Sequence, residues 1–283
     1  MTVRPSLIIA ILLVAAGFAL WVTLPPPRPS PFEGAWRSFV AHQYLQRAMA
    51  AVDEFPHNRR EARACMERAL TLAPNEPAIR AAAPSIFVAA GAYDLALNAM
   101  AAQAQPDPLL LGQCLLKTGH IHQGQELLLR AGQALTGPSG DRPQAAYQQA
   151  LALNNIGYIL ADAGVALPEA RAMLERATNE LPLEPNCLDS LGWLYYRMGD
   201  THTALFYLER AVRLLPRPGE PEILYHLAVV YNRVGRFQRA RRLIERALAL
   251  DPQHEEARRE LENGRWLLPK PTVVNAPRPA FRG

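Results

Sequence analysis

The feature that most restricts what this chain can fold into is that it repeats itself. From Leu188 it reads LDSLGWLYYRMGDTHTALFYLERAVRLLP, and from Leu224 it reads LYHLAVVYNRVGRFQRARRLIERALALDP, the same pattern at an offset of 36 residues. Leu188, Leu191, Tyr195 and Leu208 return as Leu224, Leu227, Tyr231 and Ile244, while the small residues Gly192, Ala204 and Ala211 return as Ala228, Ala240 and Ala247. Spacing at i, i+3 and i+7 sets Leu188, Leu191 and Tyr195 on one face of a helix. Gly199 and Gly235 stand where that helix must end, the place for a left-handed C-cap, and Pro216 and Pro252 stop the second helix. Each copy is therefore a helical hairpin, with Gly192 and Ala204 small enough to let its two helices approach closely. One hairpin cannot bury both of its faces, so copies must stack.

The unit extends upstream. Leu153, Ile156, Gly157, Leu160, Ala170, Leu174, Ala177 and Pro182 fit a third copy once one extra residue is admitted in the turn at VALPEA. Leu111, Gly112, Leu115, Gly119, Leu128 and Ala131 fit a weaker one, as do Phe87, Gly91, Ala96 and Met100. Ala62, Met66, Ala69 and Pro74 preserve only the second helix of a first copy. The pattern resembles the tetratricopeptide repeat (TPR), whose signature runs W-x2-L-G-x2-Y, then A-x3-F, a further Ala and a closing Pro. Leu191, Gly192, Tyr195, Ala204, Ala211 and Pro216 match it, with Leu188 at the Trp position and Leu208 at the Phe position. The resemblance implies an all-α fold, a right-handed superhelical solenoid of about five to six hairpins.

Turn glycines test the register. Gly91, Gly119, Gly164, Gly199 and Gly235 are separated by 28, 45, 35 and 36 residues. The last two gaps suit a unit of roughly 34 residues. The gap of 45 points to an insertion at TGPSGDRP, residues 136–143, and the gap of 28 to a truncated helix before Pro106. Residues 35–143 thus read as irregular TPR-like repeats and residues 144–268 as regular ones. The amphipathic stretch HEEARRELENGRWLL at 254–268 caps the open end, and residues 269–283 read as a disordered tail whose prolines deny helix and sheet.

A different kind of segment precedes the repeats. Residues 7–24 read LIIAILLVAAGFALWVTL, eighteen residues without a charge, and PPPRPSP follows at 25–31. At ~1.5 Å per residue such a helix spans roughly 27 Å, enough to cross a bilayer. Trp21 near its far end suits the membrane interface. The preferred reading of residues 1–24 is a single uncleaved N-terminal transmembrane helix, because the apolar run continues through LWVTL. The alternative is a cleaved signal peptide with Arg4 as its charged region and Gly17 and Ala19 before the cut. Charge does not orient the segment, since Arg4 precedes it while Arg28 and Arg37 follow. The short N-terminal flank favours a soluble part on the extracytoplasmic side, or a secreted or periplasmic chain after cleavage. Residues 25–34 read as a Pro-rich, polyproline-like linker holding the solenoid off the headgroups.

Composition matters for what it excludes. With 49% apolar and 20% charged residues the chain is folded rather than largely disordered. Its 28 Arg, against only Lys117 and Lys270, are mostly interleaved with Glu, as in ERA at 67–69, 175–177, 209–211 and 245–247. That is the pattern of solvated helix faces. In the one dense cluster, Arg236, Arg239, Arg241 and Arg242, Glu245 stands four residues after Arg241, so nucleic acid is disfavoured as a partner. Cys65, Cys114 and Cys187 are odd in number and widely spaced; they draw neither a disulfide framework nor a CxxC clamp and read as small buried hydrophobes. No HExxH, G-x-S-x-G, P-loop or dinucleotide fingerprint occurs, and the scattered histidines, His120 and His122 included, read as polar surface residues. No catalytic residue, metal ligand or cofactor is expected.

In the family this pattern resembles, the first helix of each hairpin lines a concave groove where partners bind. Carried over position by position, the groove residues are Asn154, Asn155, Tyr158 and Asp162, then Asp189, Trp193, Tyr196 and Arg197, then Tyr225, Asn232 and Arg233. Rigid aromatics, planar Arg forks and amides are the side chains of binding hot spots. The competing reading has Trp193 and Tyr196 complete the packing between neighbouring repeats. The Lys and Asn set with which some family members clamp a C-terminal carboxylate is missing, though Arg197 and Arg233 could receive an acidic segment. The expected function is a non-enzymatic, membrane-tethered scaffold that binds protein or peptide partners through its groove, in cell-envelope assembly or secretion, with residues 7–24 in the lipid bilayer. The alternatives are a self-associating structural protein, and so a homo-oligomer, a secreted soluble adaptor after signal cleavage, and a secreted enzyme with an unrecognised site.

Overall fold

The computed structural model describes residues 31–53, 58–101, 103–137, 143–217 and 219–263. The expected membrane segment, residues 25–30 of the linker and the C-terminal tail lie outside the described residues. Among the described residues there are thirteen helices and no strand. They form six antiparallel hairpins: α1 (Pro31–Asp53) with α2 (Arg59–Leu72), α3 (Pro77–Ala89) with α4 (Tyr93–Ala101), and α5 (Pro108–Lys117) with α6 (Ile121–Ala134) come first. They continue as α7 (Pro143–Ala163) with α8 (Leu167–Glu180), α9 (Pro185–Arg197) with α10 (Thr201–Leu214), and α11 (Pro221–Arg233) with α12 (Phe237–Leu250). α13 (Glu255–Asn263) packs on α12 and ends the stack. Each second helix also packs on the first helix of the next hairpin, which makes the array a solenoid.

Local chemistry sets the hairpins. Pro77, Pro108, Pro185 and Pro221 open first helices, where a missing N–H leaves nothing unpaired. The chain reverses at Gly91, Gly119, Gly164, Gly199 and Gly235, all with φ between 72° and 90°. At the α9–α10 turn, Asp200 N donates to Tyr195 O at 2.9 Å and Gly199 N to Tyr196 O at 3.0 Å. These reversed bonds satisfy carbonyls that the helix end would otherwise leave unpaired. Asp200 then caps α10 by accepting from Thr203 N at 3.0 Å. The one residue too many at VALPEA is Ala166, which takes φ 47°, the only described non-glycine in the left-handed region.

Close approach within a hairpin depends on Gly192. A Cβ there would lie 2.7 Å from Leu208 Cγ and 3.1 Å from Leu208 N, so the helices could not keep their spacing around any larger residue. Gly157 meets Leu174 and Gly112 meets Leu128 in the same way. Buried apolar side chains form successive clusters along the stack, from Ala41 to Cys114, from Leu116 to Leu194 and from Ala204 to Ala257, with a small one around Leu188. All three cysteines are buried and free. Burial pushes the thiols of Cys114 and Cys187 up to about 11 and about 12.

Three local expectations change. The first copy, legible only through its second helix, has a complete first helix in α1, which runs 23 residues. Residues 31–34, read as linker, are its first turn. The insertion between Gly119 and Gly164 does not go only into a loop: α7 is 21 residues long where α9 has 13, so it lengthens a helix. α4, with nine residues, is the shortened helix before Pro106. No helix among the described residues is long and apolar enough to cross a membrane.

Candidate functional site

The stack curls far enough for its two ends to touch. Gln253, in the turn between α12 and α13, donates from Nε2 to Oδ1 of Asn58, the N-cap of α2, at 3.0 Å. Arg60 N donates to Gln253 Oε1 at 3.3 Å, and Arg59 Nη2 lies 3.5 Å from Oδ2 of the buried Asp251. Inside this curvature is a concave cavity of about 510 Å³. Its wall takes Gln113 and Lys117 from α5, Tyr158 and Asp162 from α7, Trp193 from α9, Glu222, Tyr225 and His226 from α11, and Glu256 from α13. The first helices of four consecutive hairpins and the closing helix thus face one space.

A chain of alternating acids and imidazoles forms the floor. Asp189 on α9 holds Nδ1 of His226 at 2.9 Å, and Nε2 of His226 lies 3.3 Å from Glu222 Oε1. The other Glu222 oxygen, Oε2, lies 3.0 Å from Nε2 of His254, in ion-pair range though not aligned as a hydrogen bond. Tyr158 donates to Glu222 Oε1 at 3.3 Å. Trp193 covers the His226 ring, with centroids 4.1 Å apart and planes 15° from parallel, a geometry suited to a cation over an indole. Above the floor, Asp162 gathers Lys117 Nζ at 2.7 Å and Trp193 Nε1 at 3.3 Å, while Arg197 donates to its backbone carbonyl.

The protonation of His226 follows from its geometry. Both ring nitrogens face carboxylates, and a neutral imidazole has only one N–H to give, so with both acids ionised only the doubly protonated ring satisfies both sides. Burial opposes that charge, but Asp189 and Glu222 outweigh it and push the His226 pKa up to about 10. Burial raises the Asp189 carboxyl above its ordinary range. Burial also works against the Glu222 carboxylate, yet the His226 and His254 rings facing it hold it well below its usual value. His254 is less one-sided: Nδ1 meets Ala257 N–H at 3.3 Å and Glu256 Oε2 at 3.4 Å. Burial lowers its pKa, but Glu222 and Glu256 draw it up to about 9, and the His254 contact brings Glu256 down to about 2. Among the described residues no group of three or more His, Cys, Asp or Glu is arranged to hold a metal ion.

The expected groove residues divide. Tyr158, Asp162, Asp189, Trp193 and Tyr225 meet in or beneath the cavity, with Tyr196 stacked on Trp193 at 5.0 Å and Arg197 on Asp162. Trp193 is only 6% exposed and Asn154 only 4%, so most of each side chain packs inside the stack, although Trp193 also lines the cavity wall. This corrects the reading of Trp193 as an exposed anchor; its ring completes packing between α9 and α11. The Asn154 Oδ1 atom is buried without a hydrogen-bond partner. Asn232 donates to Glu260 and so fastens the closing helix α13. Asn155 and Arg233 are exposed on α7 and α11.

Two histidines overturn the expectation of scattered surface residues: His226 and His254 are each 1% exposed. A local signal existed in Glu222 and His226, an acid and an imidazole at i,i+4. Their third member was obscured by the register. Asp189 aligns with Tyr225 at the 36-residue offset, one position away from its true partner.

Known proteins share the repeat over part of the chain. The sequence model of the tetratricopeptide repeat matches residues 195–261, from the end of α9 into α13. A TPR repeat-containing protein of Pseudomonas aeruginosa is 42% identical over 67 residues, which is 24% of this chain and 11% of that protein. The match therefore spans about a tenth of the length of that relative. A thermophilic TPR protein of Thermus thermophilus superimposes with TM-score 0.47 at 23% identity, covering 63% of this chain and 93% of that one. PilW, a type IV pilus biogenesis factor, superimposes with TM-score 0.45 at 19% identity, covering 81% and 98%.

Proposed function

From a chain that belongs to the tetratricopeptide repeat proteins, with the repeat recognised over residues 195–261, we propose a non-enzymatic scaffold that holds a segment of a partner protein in its concave cavity. One observation carries this reading: four consecutive hairpins and α13 direct polar and aromatic side chains into a single space of about 510 Å³. An extended segment crossing that space would meet Lys117, Tyr158, Asp162 and Tyr225 in turn, a row able to pair with peptide amides and with either sign of charge. Residues 7–24 supply the tether in this reading. They lie in a bilayer and hold the scaffold at the cell envelope, on the extracytoplasmic side.

The test is site-specific photo-crosslinking in membranes, with a photoreactive amino acid at Gln113 in the cavity wall or at Phe206, exposed on α10. A partner captured from position 113 and not from 206, and lost when Tyr225→Ala and Lys117→Ala are combined, supports the cavity. Capture from 206 alone, or capture at 113 that survives the double substitution, refutes it.

A further inference from the structure

The first helix carries an apolar face that nothing in the stack covers. On α1, Phe32, Trp36 and Phe39 are 81%, 57% and 56% exposed. They follow at i, i+4 and i+7, so they share one side of the helix. The rings of Trp36 and Phe39 stack with centroids 5.7 Å apart, which makes the strip continuous. Farther along, α1 buries Ala41, Leu45 and Ala48 in the solenoid core. Beside the strip, Arg37 pairs with Glu33 at 2.6 Å, so the flank is locally neutral. Three large aromatics presented to solvent within eight residues form the kind of patch that marks an interaction surface.

The preceding chain argues for what covers it. Residues 7–24 contain no charged side chain, and only residues 25–30 separate them from Pro31. Six residues reach at most roughly 20 Å, and about 19 Å as a polyproline-like chain. With residues 7–24 in the hydrocarbon, α1 must start within that distance of its edge, where the interfacial layer itself is roughly 5–8 Å thick. Trp and Phe are among the side chains that settle at this level, the indole because it can bury its ring and keep its N–H wet.

We infer that the N-terminal half of α1 lies along the lipid bilayer, with Phe32, Trp36 and Phe39 in the interfacial layer. This rests on the membrane reading of residues 7–24 proposed above. Because α1 continues without a break from Pro31 to Asp53, its lipid-facing half and its core-facing half are one rigid rod. The solenoid is then held at a fixed tilt to the membrane, so that the cavity meets partners in one orientation.

The test uses the full chain, whose three cysteines are buried. Single cysteines from Phe32→Cys, Trp36→Cys or Phe39→Cys are labelled with an environment-sensitive fluorophore, alongside Glu126→Cys on α6 as an exposed control. Each protein is reconstituted into vesicles of phosphatidylethanolamine and phosphatidylglycerol and quenched with aqueous iodide or with brominated lipid. Labels on α1 should be quenched several-fold less by iodide than the label at 126, and quenched by brominated lipid where the control is not. If the chain sediments with vesicles while the α1 labels stay open to iodide, this inference fails and the tether stands. Labels shielded from iodide yet untouched by brominated lipid mean that protein covers the strip, a second copy or the chain's own N-terminal residues, and also overturn it. A chain that does not sediment removes tether and inference together.

Discussion

Folding stability should fall as pH rises from 6.5 towards 10, and His226 should be the reason. The ring is 1% exposed, with Asp189 on one nitrogen and Glu222 on the other. Its pKa stands near 10 in the folded chain and at about 6.5 when unfolded. A raised folded pKa gives stability that is complete below the unfolded value and lost as pH climbs through the folded one. Within that window the folded chain holds the extra proton, so one such imidazole costs about 1.4 kcal/mol for each pH unit. His254 titrates in the same direction and adds to the slope. Towards acid the sign reverses, because Glu222 and Glu256 are depressed and their contribution disappears as they protonate. The optimum should therefore lie near pH 5 to 6.5. Urea unfolding followed by far-UV circular dichroism at constant ionic strength measures this directly. His226→Gln should flatten the slope and, at pH 6.5, cost about 3–5 kcal/mol by leaving Asp189 buried without its cation. Combining it with Asp189→Asn should restore part of that loss, since two amides can pair without charge. Stability that is flat or rising between pH 6.5 and 9, or single-mutant costs that simply add, would refute the assignment of an imidazolium.

Other consequences follow from packing and closure. Gly192→Ala drives a methyl against Leu208 and its backbone, and should cost about 1–3 kcal/mol in the same urea assay, whereas a neutral result would mean the hairpin is looser than its contacts. Ala166→Gly removes a side chain from a left-handed residue at φ 47° and should gain up to about 1 kcal/mol, since the usual cost of glycine is outweighed where φ is positive. Arg59→Ala with Gln253→Ala deletes the contacts between the ends. Small-angle scattering should then give a larger radius of gyration with helix content unchanged, and an unaltered radius would mean that curvature alone brings the ends together.

What was legible in the sequence follows from the range of the interactions involved. Turn glycines, opening prolines and the spacing of Leu191, Tyr195 and Leu208 are local, and they report hairpins wherever they recur. α1 was only half legible because its largest apolar side chains are on the wrong side: Phe32, Trp36 and Phe39 point outward, while the buried face is the smaller set Ala41, Leu45 and Ala48. A pattern that reads apolar as inside assigns such a helix poorly. The buried floor of the cavity was missed for a different reason. Asp189, Glu222, His226 and His254 come from α9, α11 and the turn before α13. Glu222 and His226 meet locally at i,i+4 within α11, but only superhelical stacking brings Asp189 and His254 to within about 3 Å of them. Closure between Asn58 and Gln253, 195 residues apart, depends on the accumulated twist of every repeat between them.

These energetics divide the cavity into parts that can respond to a partner and parts that cannot. Breaking the Asp189–His226 pair strands a charge out of reach of water, which makes the floor costly to rearrange. The rim differs. Lys117 and Asp162 are 39% and 24% exposed at their side chains, and an ion pair so open to solvent is worth about 1 kcal/mol or less. Lys117 lies on a flexible stem and Arg197 is itself exposed, so both can leave Asp162 when an incoming group offers equivalent contacts. A cationic side chain of the partner can take the place of Lys117 at Asp162 for almost no net electrostatic cost, and the released ammonium can then meet an acidic neighbour in the same segment. Selectivity in the proposed scaffold should accordingly reside in Lys117, Asp162 and Arg197, with Asp189, His226 and Trp193 acting as the rigid surface against which they are read. Charge reversal at Lys117 should change which segments bind while leaving stability nearly unchanged, whereas any substitution at Asp189 should alter stability first.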